Sequence, residues 1–249
     1  MKIVAVVLFV IAVAVATVVA FLPASLVDGR IASATQGKVR LADSTGTVWE
    51  GRGVLTDSAG TWRVALGWTI SKADALRGRR VVVLQPVDGA PSPAGTMEAI
   101  DGGVRLRDLR IDVPAQALFA SLPMRPLPVF GGTVAVTAND LSWTNTAKTG
   151  ALEAHWRGAR VASGDNVADL GTVDLAAAPQ ESRLAGRLTN TGGDVRIDGT
   201  VSLAGANVAI DATVAPNPGA PANIARALAS VGTPDANGTV RLGWRGSVR

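Results

Sequence analysis

The chain has no cysteine, no tyrosine and a single histidine, His155. Without cysteine there is no disulfide, no thiol nucleophile and no thiolate metal site. This composition is compatible with an oxidising periplasm. A histidine-based triad needs a nucleophile and an orienting acid close in space, and the stretch Leu152-Glu-Ala-His-Trp156 singles out neither. Asp and Glu are scattered, with no Asp-x-Asp or Glu-x-x-His ligand spacing. Gly-x-Ser-x-Gly, phosphate-loop and dinucleotide signatures are missing, and glycine falls at turns. Basic runs are missing too. The longest is Arg79-Arg80, and the net charge is only +4 although the pI is near 10.3. Arg105, Arg107 and Arg110 alternate with apolar residues, as on a solvated strand face. A nucleic-acid groove would cluster its cations and add stacking aromatics. The expectation is a protein with no enzyme activity, no cofactor, no metal and no nucleic-acid partner.

What is present first is a long apolar run, Ile3 to Leu22, in which Thr17 is the only polar side chain. As a helix rising about 1.5 Å per residue it would be about 30 Å long, matching the hydrocarbon core of a bilayer. A buried core helix would keep a polar stripe, and this run has none. A cleavable signal peptide is the rival, with Met1-Lys2 as its basic start and small-x-small sites at Ala12–Ala14 and Ala14–Ala16. The apolar run continues past both sites, longer than the usual signal core, so an uncleaved anchor is preferred. Pro23 to Gly29 has no cation and carries Asp28. A long following domain also crosses largely regardless of charge, so the N-terminus is placed in the cytoplasm. Residues 23–249 are then periplasmic.

Residues 23–38 read as a connector with a short helical turn around Ser25–Ser33. From Val39 the pattern is short and alternating. Strands are expected at Val39–Leu41, Thr47–Trp49, Gly53–Leu55 and Trp62–Ile70. Val81–Leu84 is continuously apolar, as in a strand covered on both faces. Pro86 to Pro93 is a loop, followed by strands Thr96–Ile100 and Val104–Val113. In the latter, Val104 and Leu106 share one parity and Leu109, Ile111 and Val113 the other, which predicts a bulge or a break near Arg107-Asp108. Pro114–Leu122 fits a short helix with proline in its first turn. The proline-rich stretch Pro123–Pro128 is the candidate boundary between possible halves 39–122 and 129–249.

Gly132–Trp143 changes phase in the same way. Leu152–Trp156, Arg160–Ala162 and Leu170–Leu175 are further short strands. Between Ser182 and Val214 the alternation is strict around turns at Asn190–Gly193 and Gly205–Asn207, giving a three-strand antiparallel meander. Ala222–Val231 reads as a helix with Ile224, Leu228 and Val231 on one side and Gly232 capping its end. Thr239–Trp244 is the last strand. The fold class is therefore mainly β: one N-terminal transmembrane helix (residues 1–22 with its cytoplasmic stub) and a periplasmic domain over 39–249. That domain should hold ~12–16 mostly antiparallel strands and two short helices, and so many strands must curl, half-barrel-like, or pack on themselves.

One motif stands out, Gly46-Thr-Val-Trp-Glu-Gly51, then Arg-Gly-Val-Leu55. It reads as a short strand with Trp49 on its apolar face and a tight Gly51–Gly53 kink. Gly46, Thr47, Trp49 and Gly51 are thus either structural or a partner-binding motif. The N-terminal apolar run, Leu22-Pro-Ala-Ser-Leu26, GTVWEGRGVL, Leu109-Arg-Ile-Asp-Val-Pro-Ala-Gln-Ala-Leu118 and Leu127-Pro-Val-Phe-Gly-Gly-Thr-Val134, in that order, resemble the type II secretion system protein N (GspN) family. So does the glycine-rich final strand after a short helix.

The resemblance implies a non-catalytic, single-pass inner-membrane subunit of the machine that exports folded proteins across the outer membrane. It implies protein–protein contacts with other secretion subunits and no catalytic residues. A different class stays open beside it: a membrane-tethered module that handles lipid on an apolar concave sheet. A face filled by its own Trp, Leu and Val side chains favours the scaffold. An apolar groove open to solvent favours lipid.

Overall fold

The computed structural model describes residues 22–90, 92–119, 129–144, 148–163, 166–181, 183–204 and 207–247. The expected span Ile3–Leu22 lies outside these residues except for Leu22, as does the proline stretch Pro123–Pro128. Among the described residues no helix is long and apolar enough to cross a membrane. The chain divides into two compact units, Met1–Ser92 and Pro93–Arg249. The described residues form thirteen strands and four short helices.

In the first unit, helix α1 (Ser25–Ala34) precedes strands β1 (Val39–Gly46), β2 (Glu50–Asp57) and β3 (Arg63–Ile70). Helix α2 (Lys72–Leu76) and strand β4 (Arg80–Gln85) follow. Each strand pairs antiparallel with the next. The short helical turn expected around Ser25–Ser33 is a ten-residue helix, and it packs on the sheet where a connector was expected. Ala24 is buried with Leu41 and Trp68, and Val27 and Ile31 pack on the same cluster. Their spacing of three and four residues lays one helical stripe on the sheet. Asp28 ties α1 to β1. Its carboxylate accepts from Arg40 Nε at 3.0 Å, Arg40 Nη2 at 2.6 Å and the Leu41 N–H at 2.8 Å.

The expected strand Thr47–Trp49 is a turn. Gly46 has φ 91° and pairs with Gly51, so the chain reverses between them. Gly51 and Gly53 do not kink either: both lie inside β2, paired to β1 and β3. In β4 the apolar run faces both ways. Val82 and Leu84 pack on the Trp68 cluster, Val81 is buried on the other parity, and Val83 is exposed.

The second unit begins with β5 (Ala94–Ile100), β6 (Gly103–Pro114), α3 (Ala115–Phe119) and β7 (Val129–Thr144). Then come β8 (Lys148–Ser163), β9 (Asn166–Gln180), β10 (Arg183–Thr191), β11 (Val195–Ala204) and β12 (Asn207–Pro216). Helix α4 (Ala222–Val231) and β13 (Val240–Ser247) close it. Neighbours in sequence pair antiparallel throughout. Both phase changes seen in the sequence are bulges. Asp108 (φ 49°) and Asp140 (φ 44°) sit left-handed where the register slips. Aspartate tolerates that conformation better than most residues. The two short strands read at Leu152–Trp156 and Arg160–Ala162 are one strand, β8, interrupted by a register shift at Gly158 (φ 58°).

Helix α4 covers one end of the sheet. Ile224 and Leu228 are buried with Val195, Val214 and Val240. Gly232 does not end α4 in a left-handed conformation, since its φ of −172° is ordinary extended backbone. Its N–H still closes the last turn on Leu228 O at 3.2 Å. The reason for glycine there is space: a Cβ would lie 2.4 Å from Val240 Cγ1.

Candidate functional site

The motif Gly46–Gly51 is a four-residue turn closed by its own threonine. Thr47 N–H donates to Glu50 O at 2.8 Å, and Thr47 Oγ1 accepts the N–H groups of Trp49 and Glu50, each at 3.2 Å. A hydroxyl that takes up backbone donors two and three residues on stabilises a tight reversal. The outward side of the turn then holds the incoming chain. Val48 N–H donates to Leu22 O at 2.9 Å, Ala24 N–H to Gly46 O at 3.2 Å, and Pro23 bridges to Thr47. The inward side is fixed to β3. Ile70 N–H donates to Trp49 O at 2.6 Å, and the indole N–H of Trp68 donates to Val48 O at 3.0 Å.

The motif therefore joins the end of the apolar run to the sheet through backbone groups. Of its side chains, Thr47 and Trp49 are half-buried. Gly51 is required by contact, because a Cβ there would lie 2.5 Å from Trp68 Cζ2 and 2.8 Å from Thr45 O. The structure brings Gly46, Thr47, Trp49 and Gly51 together at this one reversal. Beside it lies an open cleft of about 580 Å³ between Thr45–Arg52 and Gln85–Asp88.

The sheet of the second unit has two unlike faces. On one, Leu175, Leu188, Val201, Ile210, Leu242 and Trp244 lie across β9–β13 in matched register. Where α4 covers this face Val195, Val214 and Val240 are buried and half-buried Leu242 packs against them, whereas Leu175, Leu188, Val201, Ile210 and Trp244 are half-buried further along it. The other face carries ion pairs: Arg157–Asp112 at 3.1 Å, Arg187–Asp198 at 2.8 Å and Arg241–Asp211 at 2.6 Å. It also has a trough of about 730 Å³ floored by Ala176, Ala178 and Ala185, with Arg183, Arg187 and Asp198 at its rim. The trough is mostly small-residue strand surface, with Glu153, Thr200 and Ser202 also on its lining. Glu98, not among the residues the sequence pattern singles out, is a buried carboxylate held by Arg107 at 3.1 Å with Arg105 at 3.9 Å. The alternation of Arg105 and Arg107 opposite a lone glutamate on β5 was the available signal.

His155 lies on the charged face, exposed as expected. Its Nδ1 is 2.6 Å from Asp174 Oδ1, across from it on β9. Its neighbour on the other side is Ala135, which supplies no nucleophile. Among the described residues no cluster of three His, Cys, Asp or Glu could hold a metal ion.

No curated protein and no solved structure matches the chain. Residues 37–243 match the family model described as type II secretion system (T2SS), protein N.

Proposed function

The chain belongs to the type II secretion system protein N family, and on that premise we propose that it is a non-catalytic, inner-membrane scaffold of that export machine. In this reading residues 1–22 are a cytoplasmic stub and single transmembrane helix, and residues 39–249 work in the periplasm through contacts with other secretion subunits. One observation carries the reading. The turn at Thr47–Glu50 binds Leu22, Pro23 and Ala24, so the sheet is held to the last residue of the apolar run without a free linker. That is a device for fixing a large surface at a membrane. Gly46, Thr47, Trp49 and Gly51 accordingly serve as a tether joint, and catalysis has no assigned place.

Deleting the gene tests this. Proteins exported by the type II pathway should accumulate in the periplasm and be restored to the medium by the full chain. Unchanged export in the deletion strain would reject the role.

A second reading has its own observation. The half-buried row Leu175, Leu188, Val201, Ile210 and Trp244 is apolar surface of the kind that marks binding sites, and an acyl chain would fit its chemistry. Lipid extracted with the full-length protein purified in detergent, and lost on Val201→Asp or Ile210→Asp, would favour lipid handling. Protein free of bound lipid that still supports export would favour the scaffold.

A further inference from the structure

Antiparallel pairing gathers four pieces of the first unit at one end of its sheet. These are Leu22 with the β1–β2 turn, the start of β2, the end of β3 and the start of β4. Helix α2 belongs to the same end. Ile70, at the end of β3, donates its N–H to Trp49 O, and Ser71 caps α2 by accepting the Asp74 N–H at 3.2 Å. From Ile70 to Leu76 the chain can reach only about 13 Å.

Leu76 is 90 % exposed, more than any other large hydrophobic side chain among the described residues. Lys72, Arg77, Arg79 and Arg80 surround it in sequence and are all exposed. Arg79 is engaged with Asp74 at 3.3 Å. Asp74, Glu50 and Asp88 are acidic residues at or beside this end, fewer than the four cations Lys72, Arg77, Arg79 and Arg80. Half-buried Val48 and Trp49 lie beside it in the turn that grips Leu22.

A fully exposed leucine among cations does not suit water or a charged protein neighbour. It suits the boundary between headgroups and acyl chains of an anionic bilayer, where apolar tips insert and Lys and Arg meet phosphates. The position agrees, because the surface begins at the last residue of the apolar run. We propose that this end of the first unit docks on the anionic membrane surface from which the chain emerges. Leu76 enters the headgroup–acyl boundary, and Lys72, Arg77 and Arg80 face lipid phosphates. The proposal rests on the reading of Ile3–Leu22 as a membrane span. It adds a second, electrostatic attachment that fixes the sheet's orientation as well as its position.

The absence of cysteine makes the test clean. An environment-sensitive dye is placed on Ala73→Cys in α2, or on Ser58→Cys in the turn at the opposite end of the same sheet. Eight residues of β2 separate the two ends, about 26 Å at strand rise. The full chain is reconstituted into vesicles of phosphatidylcholine with or without phosphatidylglycerol, and the dye is challenged with spin-labelled lipid. With phosphatidylglycerol, the Ala73→Cys dye should shift to the blue and be quenched, and the Ser58→Cys dye should do neither. Replacing Lys72 and Arg77 by Gln should lower the docked-to-free ratio roughly thirtyfold, at the energy each cation gains near an anionic surface. Protein that floats with the vesicles while both dyes stay equally aqueous overturns the docking and leaves the anchor standing. Protein that does not float with them overturns the anchor and the docking together.

Discussion

The indole of Trp68 lies against Gly51 and points its N–H at the carbonyl of Val48, 3.0 Å away. One side chain of β3 thus supports the turn that holds Leu22 and demands a glycine beside it. A Cβ at Gly51 would meet the Trp68 ring at 2.5 Å and two carbonyl oxygens, of Thr45 and Thr47, at 2.8 and 2.9 Å. The ring can shift, but the carbonyls belong to the paired backbone. Gly51→Ala should therefore destabilise the protein by about 1–3 kcal/mol, the usual cost of overpacking. Urea unfolding of the full chain in detergent measures it, and an unchanged midpoint would mean the turn gives way freely.

Trp49 and Trp68 should differ sharply when truncated. Trp68 is buried and hydrogen-bonded, so Trp68→Ala should cost about 3–5 kcal/mol. Trp49 sits on a turn and is half-buried, so Trp49→Ala should cost less than half as much. Placing Trp49 in a strand would give it the full core penalty. Equal losses in the two variants, read by thermal melting, would restore that view.

Asp28 makes stability depend on acid. The Arg40 guanidinium, and then the Leu41 N–H, hold its carboxyl down at about 2 against an ordinary 3.8. A lowered folded value means the stabilisation is complete above the ordinary value and disappears as pH falls toward the folded one. Because Arg40 is half exposed, screening limits the pair to about 1 kcal/mol. Asp28→Asn should be less stable than the parent by about that amount at neutral pH. The gap should close between about pH 4 and pH 2. A gap that is constant from pH 7 to 2 would assign Asp28 a role other than its charge.

His155→Ala removes an exposed contact to Asp174. It should leave stability within about 0.5 kcal/mol, as surface changes do, and leave export intact. Normal accumulation with lost export would reveal chemistry or a partner on the charged face.

Sequence pattern conveyed the second unit better than the first, for physical reasons. In β10–β12 one face is apolar and the other charged, so strict alternation marked the strands and their turns. Bulges at Asp108 and Asp140 were legible because one extra residue flips the parity of everything after it. Helix α1 was legible in part, as the short helical turn expected around Ser25–Ser33, but not as a helix packed on the sheet. Asp28, Gly29 and Arg30 interrupt its apolar positions, and packing of Ala24, Val27 and Ile31 on the sheet makes it a helix. Helix α2 carries a local signal in the sequence, Ser71 with Asp74 three residues on, and in the structure Ser71 Oγ accepts the Asp74 N–H. At the tether, Val48 and Trp49 resemble a strand by composition. The decisive residue was Thr47, whose hydroxyl gathers the turn's donors and whose backbone leaves Pro23 a partner. Such a reversal depends on atoms of one side chain, and hydropathy carries no trace of it.

The central proposal is a sheet held at a membrane by the joint between Leu22 and the Thr47–Glu50 turn. The most direct measurement fuses a reporter that is active only in the periplasm to Arg249, fractionates the cells and sequences the N-terminus of the product. The expected result is an active reporter on a full-length chain that stays with the membrane after alkaline washing. A soluble product beginning near Thr17, or a membrane-bound chain with an inactive reporter, would contradict it.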